Sequence, residues 1–287
     1  MKLFRFGTPG EEKPGVLLPD GGARVDASGF GADWNEAFFA QGGDGMERLA
    51  RWVASDAAKA PRVPAGTRLA SAVARPSKLV CIGLNYRDHA RESGAALPGE
   101  PIVFLKATSA LAGPEDDLRL PIGGEKTDWE VELALVIGAR AKHVTREDAL
   151  SYVAGFVLHN DYSERGFQLE RHGQWTKGKS ADGFAPLGPL LVTPDEVPGI
   201  ASARLWLKVN GETKQDGTTA DMIFDVPTLV SYVSQFMTLL PGDVISTGTP
   251  AGVGLGHKPP LYLRAGDVVE YGIDGLGQAR QKIVAPE

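Results

Sequence analysis

Apolar and polar positions alternate over short stretches of this chain, and the period changes in only a few places. Lys2 to Phe6 alternates as a half-buried strand does. Val16-Leu17-Leu18 and Ala23-Arg24-Val25 flank Asp20-Gly21-Gly22, the composition of a hairpin turn. Met46, Leu49, Trp52 and Val53 then recur at helical spacing, which predicts a helix from Gly45 to Ala58. Pro61, Pro64, Gly66 and Pro76 break that pattern. They set a small N-terminal α+β unit, residues 1–70, apart from a larger one over 71–287.

Past this punctuation, apolar runs bounded by turn residues predict strands at 79–83, 102–105, 129–138, 153–159, 204–210, 243–247 and 267–273. Two helices interrupt them. One starts near Tyr86; the other runs from Val226 to Leu239 with Pro227 in its first turn. Many strands and few helices point to a β-rich α+β chain, a folded-over mixed sheet or roll and not a doubly wound parallel sheet. No internal repeat or low-complexity tract alters that picture.

Composition narrows the function. The 287 residues are 43% apolar, enough for a sizeable core, and 36 glycines and 20 prolines add turns. A net charge of -6 with no run of Lys or Arg argues against a nucleic-acid partner, which needs a basic stripe. Cys81 is the single cysteine, so no intrachain disulfide forms and a reducing cytoplasm is the expected compartment. It lies in an apolar run and reads as a buried small hydrophobe. No apolar stretch has the length of a signal peptide or a membrane span, so no membrane partner is expected.

The richest chemistry lies in Asp128-Trp129-Glu130-Val131-Glu132 and the apolar run after it. On a strand, Glu130 and Glu132 share a face that continues as Ala134 and Val136. Two anions on a face that turns apolar repel unless a cation separates them, and a hard divalent ion such as Mg²⁺ or Mn²⁺ prefers carboxylate oxygens. Asp161, just past the apolar run Tyr152 to Leu158, offers a third ligand. A solvated sheet face followed by a turn fits the spacing equally well. His89 and Glu92 stand three apart in a helical stretch, where a carboxylate fixes the imidazole tautomer and raises its basicity. A surface ion pair is the plainer reading of that spacing. The Gly-rich segment Ser246 to Gly254 lets backbone approach a ligand. It lacks the Gly-Lys-Ser/Thr ending of a phosphate loop, and Gly178-Lys179-Ser180 lacks the glycine five residues earlier.

Together these segments resemble the fumarylacetoacetate hydrolase superfamily. The elements fall in that family's order: Gly83-Leu84-Asn85-Tyr86 with His89 and Glu92, Phe104-Leu105-Lys106, Trp129 to Glu132, Asn160 to Ser163, Gly178-Lys179-Ser180, then Gln215-Asp216 and Thr247-Gly248-Thr249-Pro250. The resemblance implies a mixed-sheet roll, usually assembled as a homodimer or higher homo-oligomer. It implies that Glu130, Glu132 and Asp161 hold Mg²⁺ or Mn²⁺ and that His89 and Glu92 activate water. Lys179 matches the pocket lysine; Lys106, Arg165, Gln168 and Thr249 match substrate contacts. The implied reaction is hydrolysis of a C–C bond in a 2,4-dioxo acid. Ser163 to Gln168 and Arg171 to Lys179 look most like the branch acting on 2,4-diketo-3-deoxy sugar acids of the L-rhamnonate or L-fuconate type, which yields pyruvate and a hydroxy acid such as lactate. Decarboxylation or tautomerisation of a 2-oxo diacid, such as oxaloacetate or a 2-hydroxyhepta-2,4-dienedioate, is the alternative; a non-catalytic metal-binding scaffold is the third. One departure is Asp182-Gly183-Phe184 where the family often has Asp-Thr-Phe, a loss of a hydroxyl and a methyl expected near the pocket.

Overall fold

The computed structural model describes residues 1–19 and 22–287. Its backbone is the β-rich α+β architecture expected, organised around an eleven-stranded mixed sheet. The central path runs Arg24–Asp26, Lys13–Leu17, Lys2–Phe6, Ala185–Val192, Val153–Asn160, Val131–Ile137, Val244–Ser246, Leu79–Gly83 and Ile102–Lys106. Neighbours along the path are antiparallel except Val244–Ser246 against Leu79–Gly83, which is parallel. A five-stranded sheet, in the order Glu212–Thr218, Arg204–Val209, Val268–Ile273, Gly277–Val284 and Leu118–Arg119, packs beside it. Thr127–Asp128 and Ser163–Glu164 form a small antiparallel ladder of their own.

The N-terminal strands join the large sheet, since Lys2–Phe6 pairs with Ala185–Val192. Lys13–Leu17 and Arg24–Asp26 pair with Val16 opposite Val25. The turn expected at Asp20-Gly21 falls outside the described residues. The helix predicted from Gly45 spans Gly42–Ser55 instead, because Gly42 and Gly43 carry no apolar signal to extend the period. A 3-10 turn at Ala57–Lys59 takes up its expected end. The helix near Tyr86 is Arg87–Glu92, and the last helix stops at Phe236. Asp225 caps the latter by accepting from the Thr228 amide.

Three strands gave no clear pattern in the sequence. Ala185–Val192 carries Pro186, Gly188 and Pro189, which read as turn. Glu212–Thr218 is polar throughout and lies at the edge of its sheet. Gly277–Val284 buries only alternate positions, Ala279, Gln281 and Ile283.

The strand expected over 129–138 is shorter, Val131–Ile137, and buried along its whole length. Trp129 and Glu130 form the joint between it and the small ladder, so Glu130 stands just off the strand. Cys81 is fully buried, and burial pushes its thiol pKa well up. Among the described residues no helix is long and apolar enough to cross a membrane.

Candidate metal and active site

Sheet register builds the site. Val131–Ile137 and Val153–Asn160 run antiparallel with Glu132 opposite His159 and Val131 opposite Asn160. The beginning of one strand therefore meets the end of the other, and the Asp161 amide donates to the Glu130 carbonyl at 2.9 Å. Val244–Ser246 is antiparallel to Val131–Ile137 and parallel to Leu79–Gly83. Both strands thus release their chains, Thr247-Gly248-Thr249 and Leu84-Asn85, at that same end. The outgoing chains are tied together: Asn85 donates from its side-chain amide to the carbonyls of Thr247 (2.8 Å) and Phe224 (3.0 Å) and accepts from the Phe224 amide at 2.8 Å. These bonds hold Leu84 at a φ of 52°, a conformation costly for a branched residue and typical of a functional turn.

Glu130, Glu132 and Asp161 converge. Each presents a carboxylate oxygen within 4.8 Å of the other two, and all three are buried. Their partners differ. Asp161 accepts from Lys106 at 2.5 Å and from Lys179 at 2.9 Å, while Lys179 also reaches Glu130 at 2.7 Å. Arg165 donates to Glu130 at 2.6 Å, to Asp128 at 2.8 Å and to Gln168 Oε1 at 2.9 Å. Glu132 meets no cation among the described residues. It accepts from the Ser246 hydroxyl (2.5 Å) and the Gly248 amide (2.9 Å), both on Oε2, which leaves Oε1 to another ligand.

Electrostatics follows this partition. Burial alone would raise the pKa of Asp161, yet Lys106 and Lys179 hold it far below the usual carboxylate range. Burial likewise opposes ionisation of Glu130, and Lys179 and Arg165 overcome it. Glu132 goes the other way: burial, then the fields of Asp161 and Glu130, push it well up. On the cationic side burial acts against Lys179 and Arg165, but the facing carboxylates win and both are raised. Lys106 is lowered, because burial outweighs its attraction to Asp161.

The donor set fits a hard divalent cation. Three buried carboxylates with oxygens this close repel one another, and one of them has no positive partner among the described residues. An ion between them would relieve that repulsion and bring Glu132 into its charged state.

Opposite the carboxylates stands His89, whose Nδ1 lies 3.0 Å from Glu92 Oε2. Glu92 Oε1 accepts from the Gly252 amide at 2.9 Å, and Asp88 accepts from the Ala251 amide at 3.2 Å. Two acids of the short helix thus clamp it to the Gly-rich segment. A small cavity of about 90 Å³ lies between His89 and the carboxylates. Glu130, Glu132, Arg165, Gln168, Lys179 and Thr249 line its polar side. Lys106 is not among the lining residues; its ammonium is spent on Asp161 and on the Tyr162 carbonyl at 3.0 Å. Asp161 is fully buried behind the two lysines. Gly183, expected to open the pocket, does not line it either. Its φ of +81° selects glycine, and an added Cβ would meet only Leu118 within 4 Å.

Several residues to which the sequence assigned no role support the site. Asp128 accepts from Gly254 (2.6 Å), Leu255 (3.0 Å) and Arg165, so it joins the Gly-rich segment to the cationic side. Gln215 accepts from the Val131 amide at 2.9 Å and donates to Thr249 Oγ1 at 2.7 Å. His159 Nδ1 lies 2.7 Å from Ser246 Oγ. The Ser246 hydroxyl proton already goes to Glu132, so the imidazole is the donor there. Burial pushes its pKa down to about 3, which keeps it neutral. Trp175 and Phe104, ring centroids 5.2 Å apart, close the far side of the cavity.

Fold and site together place a cluster of buried carboxylates that could hold a metal at one end of a mixed-sheet roll. The family described as fumarylacetoacetate (FAA) hydrolase C-terminal matches residues 78–284, and the chain belongs to it. A relative from Burkholderia multivorans, named for hydrolase activity without a substrate, is 51% identical over 282 residues, 98% of each chain. The fumarylacetoacetate hydrolase of Exiguobacterium antarcticum superposes with a TM-score of 0.87 at 38% identity over 99% of each chain. Maleylpyruvate hydrolase from a Sphingobium species, solved with manganese(II) and pyruvate, does so with a TM-score of 0.81 at 29% identity over the full length of both. The structural relatives comprise hydrolases and isomerases.

Proposed function

We propose that this protein is a divalent-metal-dependent hydrolase that cleaves the C3–C4 bond of a 2,4-dioxo acid, releasing pyruvate and a carboxylic acid. The observation that carries the reading is the His89–Glu92 pair across one small cavity from Glu130 and Glu132, with Asp161 buried beside them. Glu130, Glu132 and Asp161 would hold Mg²⁺ or Mn²⁺; the maleylpyruvate hydrolase relative was solved with manganese and pyruvate. The chemistry such an ion supplies when bound is Lewis-acid polarisation of the 2-oxo acid's oxygens.

The protein's own groups do the rest. Glu92 accepts from Nδ1–H and so keeps the Nε2 lone pair of His89 free. Nε2 takes a proton from water, and the hydroxide formed attacks C4. The C3–C4 bond breaks, its electron pair passes into the pyruvate enolate, and the proton held on His89 is returned to C3. Lys179, already oriented by Glu130 and Asp161, donates toward the developing negative charge. Arg165 and Gln168 line the same wall and orient the acid, while Lys106 acts through Asp161 as a positioning residue.

Turnover of 2,4-dioxo acids in heavy-oxygen water tests this. Label in the released carboxylic acid is the expected result. Decarboxylation or tautomerisation of a 2-oxo diacid without incorporation of label would replace the hydrolytic reading with the other one.

A further inference from the structure

The two faces of the cavity differ in chemistry. One carries the carboxylates, Lys179, Arg165 and Gln168; the other is Ile82, Gly83, Leu84, Phe104 and Trp175. Trp175 is built into that face. Its indole lies so close over Gly83 that an added Cβ there would stand 2.7 Å from the ring, and it meets Phe104 edge-on at 5.2 Å. Phe104 in turn has the Lys179 ammonium 5.0 Å from its ring centroid, so it forms the boundary between the faces. Among the described residues lining the cavity, Lys179 and Arg165 are the only lysine and arginine, and carboxylates already hold both.

We propose that Trp175 and Phe104 determine specificity: the acyl end of the substrate packs on them, so the enzyme selects 2-oxo monoacids with a short apolar tail over diacids and polyhydroxylated acids. This rests on the hydrolase reading for the direction in which the substrate lies. With its carboxylate and 2-oxo oxygens at the polar face, the acid's far end meets the aromatic wall. A second carboxylate against these half-buried rings would give up part of its hydration without a free cation among the cavity-lining residues, and each sugar hydroxyl there would lie on carbon without a partner. The 2,4-diketo-3-deoxy sugar acid expected from the sequence is therefore disfavoured by this wall.

Two acids of equal length separate the cases. Calorimetric binding of 2-oxopentanoate and 2-oxopentanedioate to the Mg²⁺-loaded protein is expected to favour the monoacid by about tenfold or more, the scale of hydrophobic-pocket discrimination. Trp175→Ala should erase most of that preference, Trp175→Phe should keep it, and Trp175→Arg should turn it toward the diacid. The Phe variant keeps an aromatic ring should the Ala variant fold poorly. Equal or tighter binding of the diacid by the unaltered protein, or no binding of either acid, overturns the proposal. Turnover is read separately on 2,4-dioxopentanoate and 2,4-dioxohexanedioate. Hydrolysis of the diacid alone would sink the specificity and leave the hydrolase; cleavage of neither would sink the hydrolase reading, and the binding pair would still decide the wall.

Discussion

The two sides of the cavity are held in opposite ways. On the ligand side, Glu130, Asp161, Lys106, Lys179 and Arg165 are buried and fix one another through charge. On the base side, His89 and Glu92 keep roughly a fifth of their side-chain surface open, and uncharged backbone amides of the Gly-rich segment anchor their helix. The difference matches the two tasks proposed for them. A group that positions a cation gains from a dry, charge-matched setting, where electrostatic interactions are strong. A group that passes a proton needs access to water and a charge state free to change.

Substitutions on either side test that contrast. The largest effect is expected from Glu132→Ala, which removes the carboxylate that lacks a cationic partner. Titration of the purified variant with Mn²⁺ should show the tight site lost, and turnover should fall to background. His89→Ala should behave differently, with kcat down by about 10²–10⁴ while Mn²⁺ still binds as in the unaltered protein. If both variants lose the metal, the two sides are one unit and the contrast fails. Ser246→Ala removes the hydroxyl on Glu132 Oε2 and should weaken metal binding by about 10–100-fold, the usual cost of a group that orients a ligand. The smallest effect belongs to Gln215→Leu. It leaves the Val131 amide buried and unpaired, so denaturant unfolding should report a loss of about 1–3 kcal/mol.

The ligand side was the more legible in sequence. Glu130, Glu132 and Asp161 stand beside two long apolar runs, and antiparallel pairing of those runs suffices to bring them together. The base pair was legible as a helical i,i+3 spacing, although only the clamp to Gly252 distinguishes it from a surface ion pair. Pattern did not reveal which cation serves which carboxylate. Lys106, which the resemblance matched to a substrate contact, donates to Asp161, a pairing that depends on how two distant chain segments meet. Ser246 and His159 reach Glu132 through sheet register, which no single strand records. Trp175 lies in the irregular stretch between two short helices, where no periodicity marks a residue as facing inward. The same limit applies to Ala185–Val192: its prolines signal turn, while its burial comes from the strands on either side.

Because one ammonium already bridges two of the three acids, the core should not need the proposed ion in order to fold. The chain should keep its shape through chelation and reloading, unlike small zinc modules that melt when stripped. On the proposed reading the metal is then an exchangeable part, and a hard cation supplied by the surroundings would be seated in a finished protein.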